Sequence, residues 1–78
     1  MTEQEVRNLK VGDMVLFYDP GVFGPRVYAE EVKGITYGVD MGLILENDGK
    51  HVRVEWFSEE VNTVFIIGHR IWNQVKKA

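Results

Sequence analysis

The chain has no cysteine. That excludes a disulfide staple and a thiolate metal site, and it fits a reducing compartment. Long apolar runs are missing too. The longest bulky run is Val64-Phe65-Ile66-Ile67, far too short to span a bilayer. The opening Met1-Thr2-Glu3-Gln4-Glu5 carries acid and no apolar stretch, so no secretory signal is expected. Basic residues are in the minority, nine Lys and Arg against twelve Asp and Glu, for a net charge of −3. A nucleic-acid binder usually shows the opposite balance. There are only two histidines, His51 and His69, and no nucleophile accompanies either in a recognisable catalytic pattern. The glycines match neither a phosphate-binding loop nor a dinucleotide fingerprint. Glu46, Asn47 and Asp48 fall short of the oxygen count that calcium wants. The expectation is a soluble, cytoplasmic protein that is not an enzyme and needs no cofactor or metal.

What is present is globular composition: 45% hydrophobic and 27% charged residues in 78. One domain, 1–78, is the sensible reading. A domain of this size buries roughly 60% of its unfolded surface, enough to fold alone with little margin.

The most legible stretch is Met41–Phe57, MGLILENDGKHVRVEWF. Asp48-Gly49 supplies the positive φ angles of a type I′ hairpin turn. A two-residue loop there sets Leu45 opposite Val52, Leu43 opposite Val54 and Met41 opposite Trp56, an apolar inner face. The outer face then pairs Glu46 with His51, Ile44 with Arg53 and Gly42 with Glu55. Three further strands suggest themselves at Met14–Tyr18, Asn62–Ile67 and Ile71–Val75. Five short strands in so short a chain predict an all-β fold, a small five-stranded antiparallel barrel over 10–76. At the N-terminus, Thr2 with Glu5 matches a capping box, and Val6 and Leu9 follow at helical spacing, so residues 1–9 read as a helical turn or a frayed tail.

Residues 19–40 hold both prolines and four of the eight glycines. So long a connection in a small domain tends to be functional. It reads as a short helix over 25–33, started by Pro25 and stopped by Gly34, or as a strand over Arg26–Ala29. Phe23, Tyr28 and Tyr37 lie in it and Tyr18 at its start, the kind of aromatics that line binding surfaces.

The segments LKVGDMV, GLILEND, HVRVEWF and VFIIG, followed by a last short strand, resemble the SH3-like small-barrel group. KOW-type and Tudor-type modules, the small photosystem I subunit of that architecture and short phage-encoded proteins share the outline. The phage-encoded set is closest in flavour, which would place the protein in a host cytoplasm. The resemblance implies a fold more than a function. Tyr18, Tyr37 and Phe57 could form a Tudor-type aromatic cage. Phe17-Tyr18-Asp19-Pro20 echoes the first strand of signalling SH3 domains, without their tryptophan pair.

The leading expectation is a protein-interaction module, binding a protein partner or a second copy of itself. Its surface would be Tyr28, Tyr37, Ile44, Arg53 and Phe57, with Ile44 and Phe57 exposed on a polar face. The alternative is nucleic-acid binding through Arg53, Arg70, Lys76 and Lys77, since residues 61–78 carry no acid. A structural subunit of a larger assembly is a third reading.

Overall fold

The computed structural model describes residues 1–21 and 27–78. A short helix α1 (Glu3–Arg7) is followed by β1 (Met14–Asp19), β2 (Tyr28–Val32), β3 (Ile35–Asn47), β4 (His51–Trp56), β5 (Val61–Ile66), a 3-10 turn (Arg70–Gln74) and β6 (Val75–Lys77). The described strands form one antiparallel sheet in the order β5-β4-β3-β1-β6, with β2 on the other part of β3. The fold is all-β. The sheet is not closed: β5 and β6 are its two ends and share no pairing.

The long strand β3 makes this possible. One edge pairs with β1 from Gly38 to Leu43. The other edge pairs first with β2, up to Val39, and then with β4, from Gly42 onward. Thirteen residues thus serve three neighbours, and the hairpin β2–β3 and the hairpin β3–β4 share one strand.

Register within the β3–β4 hairpin departs from the two-residue-turn expectation. Gly42 pairs with Trp56, Ile44 with Val54 and Asn47 with Val52, with an irregularity at Leu45. Ile44 is therefore fully buried with Val52 and Val54, beside the buried Trp56. The outer-face placement of Ile44 is corrected: Leu43, half-buried, takes the outward row opposite Glu55. Two physical causes are visible. First, the turn lies further along than Asp48-Gly49. Asp48 N–H donates to the His51 carbonyl at 3.2 Å, and the Asp48 carboxylate accepts from the N–H groups of Lys50 (2.8 Å) and His51 (2.7 Å). Those bonds hold the Asp48 carboxyl below its usual range, His51 N–H first. Second, Trp56 needs the space above a glycine. A Cβ at Gly42 would stand 2.7 Å from Val54 Cγ1 and 2.8 Å from Trp56 Cζ3. Any side chain larger than glycine's hydrogen would collide there.

The helix α1 has the expected box. Thr2 Oγ accepts from Glu5 N–H and Glu5 Oε1 accepts from Thr2 N–H. It buries Val6 and, just beyond it, Leu9. Asn47 ties this segment to the hairpin: its Nδ2 donates to the carbonyls of Leu9 (2.8 Å) and Val6 (3.0 Å), while its Oδ1 accepts from Gly49 N–H.

The helix expected over 25–33 is corrected as well. Tyr28–Val32 is strand, antiparallel to Ile35–Tyr37 and beyond. Lys33 and Gly34 both have positive φ, 51° and 81°, which suits a tight hairpin turn. Gly34 is a turn residue, not a helix stop. The alternative strand over Arg26–Ala29 is met at Tyr28 and Ala29, while Phe23, Pro25 and Arg26 lie outside the described residues.

The expected strand Ile71–Val75 is a 3-10 turn that becomes strand only at Val75. Trp72 and Val75 are the buried pair, three residues apart, which is the 3-10 period and not the strand period. His69 caps the turn, its Nδ1 accepting from Ile71 N–H at 3.0 Å. Trp72 Nε1 donates to the Ile66 carbonyl at 3.1 Å. The core holds Val6, Leu9, Val15, Ile44, Val52, Val54, Trp56, Ile67, Trp72 and Val75. Phe17 and Phe65 meet Trp56 edge-to-face, with centroid separations of 5.9 Å for Phe17–Trp56 and 6.4 Å for Trp56–Phe65, and Trp72 in turn meets Phe65 at 6.0 Å.

Gly42→Ala should cost about 1–3 kcal/mol of stability, as overpacking does, read as a lowered urea midpoint. Asn47→Ala should cost about 1–2 kcal/mol by removing the amide donor to the Val6 and Leu9 carbonyls, with the loss appearing first as faster amide exchange in residues 6–9.

Candidate functional site

Opposed residues in a ladder share a face. Val15, Gly42 and Trp56 form one row on the core face. The alternate rows lie on the other side of the sheet. Tyr28, Val39 and Tyr18 make one such row, Glu30 with Tyr37 another, and Met41, Leu16 and Lys76 a third. Val39 is fully buried yet stands outside the main core cluster. The sheet therefore has a second, smaller apolar seam on its outer side, built by the β2–β3 hairpin.

Beside this seam lies a cleft of about 390 Å³, lined by Tyr18, Pro20, Val32, Tyr37, Asn73, Gln74 and Lys76. Each wall has a local cause. Tyr18 ends β1 and its ring meets that of Tyr37 edge-on, centroids 6.0 Å apart. Its hydroxyl donates to Glu30 Oε2 at 3.0 Å. Burial, then that hydrogen bond, raises the Tyr18 phenol above its ordinary value of 10.0. The Lys76 ammonium lies 5.1 Å from the Tyr18 ring centroid, a cation–π contact. Lys76 makes no ion pair with a described carboxylate. The 3-10 turn brings Asn73 and Gln74 to the same opening, and Gln74 Nε2 donates to the Tyr18 carbonyl at 3.3 Å.

Of the residues expected to contact a partner, Tyr37 lines this cleft and Tyr28 lies on the same face, 45% exposed. Ile44 is in the core at 0% exposure and cannot contact a partner in the folded state. Arg53 sits on the outer face of β4, tied to Glu46 (3.6 Å) and to Asn62 Oδ1 (3.0 Å). Phe57 is 37% exposed just after β4, where its N–H donates to the Met41 carbonyl. It does not line the cleft, so the three aromatics of the cage reading are not gathered, and Lys76 already covers one ring. The His51–Glu46 pair is replaced by His51 with Asp48 at 3.9 Å.

The four basic residues of the nucleic-acid reading are dispersed. Arg53 is on β4, Lys76 and Lys77 on β6 with β3 and β1 between, and Arg70 opens the 3-10 turn. Lys77 pairs with Asp13 at 3.6 Å. Among the described residues no group of three or more His, Asp or Glu side chains could hold a metal ion. No described helix is long and apolar enough to cross a membrane.

The cleft's tyrosines are legible in the sequence, whereas Asn73, Gln74 and Val32 are not. Those three join it only because a strand was a 3-10 turn and a helix was a strand. No known protein family, curated protein or solved structure matches the chain.

In an alkaline titration followed by tyrosine absorbance, the Tyr18 phenol should ionise above its ordinary value of 10.0. Tyr18→Phe should remove that step. Glu30→Gln should lower it only part-way, since burial is the larger cause.

Proposed function

We propose that this protein is a non-enzymatic protein-interaction module of SH3-like outline, and that it binds a short extended segment of a partner protein in the Tyr18–Tyr37 cleft. The order of elements supports that outline: a strand, a long hairpin excursion, three consecutive antiparallel strands, a 3-10 turn and a short last strand back beside β1.

The carrying observation is the cleft itself. Two tyrosines held edge-on, with Val32 and Pro20 beside them, form a preformed apolar wall. Lys76 stands at that wall with no carboxylate partner among the described residues. An occupant that fits carries an apolar side chain for the wall and a carboxylate for Lys76. Such a pairing gives orientation as well as affinity, because a few fixed polar groups in an apolar cleft set direction. The Tyr18–Glu30 bond would keep the wall rigid before binding, which lowers the ordering cost.

The proposal is tested by selecting peptides from a random display library on the folded protein and measuring their affinity for variants. Selected peptides should combine an apolar and an acidic residue. Lys76→Glu and Tyr37→Ser should each weaken them by more than about tenfold, while Glu59→Gln, away from the cleft, should leave affinity unchanged. Equal binding to Lys76→Glu and to the parent chain would contradict the assignment.

A further inference from the structure

Three strands have one edge that no described strand pairs: β2, β5 and β6. Two are charged. β2 carries Glu30 and Glu31, and β6 carries Lys76 and Lys77. Charge along an edge is a usual protection against strand addition. β5, Val61-Asn62-Thr63-Val64-Phe65-Ile66, has no charge at all. Its Val61, Val64 and Ile66 are 49%, 44% and 53% exposed.

We propose that the β5 edge is a self-association surface, pairing antiparallel with β5 of a second copy about a two-fold axis at Val64. The occupant follows from charge. A two-fold axis sets a strand against itself. On β2 that would bring glutamates together, and on β6 lysines, and like charges directly opposed are destabilising. Only β5 pairs with its own copy at no such cost. The neighbouring row adds none either, because Arg53 beside Val64 is already tied to Glu46 and Asn62.

Backbone direction fixes the ladder. The Ile66 carbonyl accepts from His69 N–H at 3.0 Å and from Trp72 Nε1 at 3.1 Å, so it points away from β4. Strand alternation sends the backbone groups of Val64 and Asn62 the same way. In the dimer, Val64 exchanges both backbone bonds with Val64 of the partner subunit. Ile66 N–H donates to the carbonyl of Asn62 of the partner subunit. The Ile66 carbonyl is already used, so the ladder stops there. The two Val64 side chains meet on the outer face, and Phe65 falls beside Thr63 of the partner subunit on the inner one.

Sedimentation of the full chain over a concentration series tests this. The expected result is a reversible species of twice the 9.0 kDa chain mass, little affected by salt. Val64→Lys should raise its dissociation constant by more than about tenfold with an unchanged circular dichroism spectrum. Hydrogen exchange on the parent chain needs no variant, so it stands even if Val64→Lys fails to fold. There the amides of Val64 and Ile66 should become more protected as concentration rises. A monomer at every concentration, amides at Val64 and Ile66 indifferent to concentration, or a folded Val64→Lys dimer as tight as the parent would each overturn the proposal. A dimer that dissolves in salt would overturn it too, assigning the contact to the charged edges β2 and β6.

Discussion

The seating of the Trp56 ring over Gly42 is the constraint on which the rest of the molecule depends. The ring needs a position without a Cβ, and β3 offers it at Gly42, facing Val54 and Trp56. Once that pair is set, Ile44 must join Val54 inside and Leu43 must turn outward, because a strand alternates faces with every residue. The same seat places Trp56 where Phe17 and Phe65 can meet its edges, and Phe65 in turn meets Trp72. A core of this size has few large side chains to spare. Fixing one ring therefore fixes the relative positions of β1, β4, β5 and the 3-10 turn.

The outer side of the sheet inherits its character from that choice. With Ile44 inside, apolar residues gather on the exposed parts of the sheet in two places, while Val11 and Phe57 are exposed elsewhere. One is the seam under the β2–β3 hairpin, where Val39 is buried below Tyr18 and Tyr28 and the cleft opens. The other is β5, at one end of the sheet. The cleft gathers residues from both ends of the chain's fold, Tyr18 from β1 and Lys76 from β6, because these strands are direct neighbours. The proposed recognition cleft and the proposed self-pairing edge therefore do not compete for side chains. Charge supports the division, since Lys76 faces the cleft while β5 carries none.

Much of the strand content was legible in the sequence. Met14–Tyr18 and Asn62–Ile67 are β-rich runs with turn residues at their ends, and both are strands within a residue. The capping box at Thr2 and Glu5 needs only local chemistry, so it too was readable. Register was not. The Asp48-Gly49 rule assumes that Asn47 is an ordinary turn flank, whereas its amide is bound to α1 carbonyls some forty residues earlier in the chain. Nothing in a local pattern announces such a bond. Ile71–Val75 shows the same limit: five residues with apolar positions at both spacings fit a strand or a 3-10 turn, and burial of Trp72 decided it. The cleft followed these outcomes. Its tyrosines stood out as aromatics near a long connection, but its polar rim arises from a turn that tertiary packing selected.

The register is the claim from which the core, the outer seam and the cleft all follow, and it has one direct measurement. Cross-strand proton contacts between β3 and β4 can be read by nuclear magnetic resonance on labelled protein. Contacts are expected from the Gly42 α-protons to the Trp56 backbone and ring, and from Ile44 to Val54. Contacts joining Leu43 to Val54 and Met41 to Trp56 as opposed pairs would contradict that register, and would return Ile44 to the outer face.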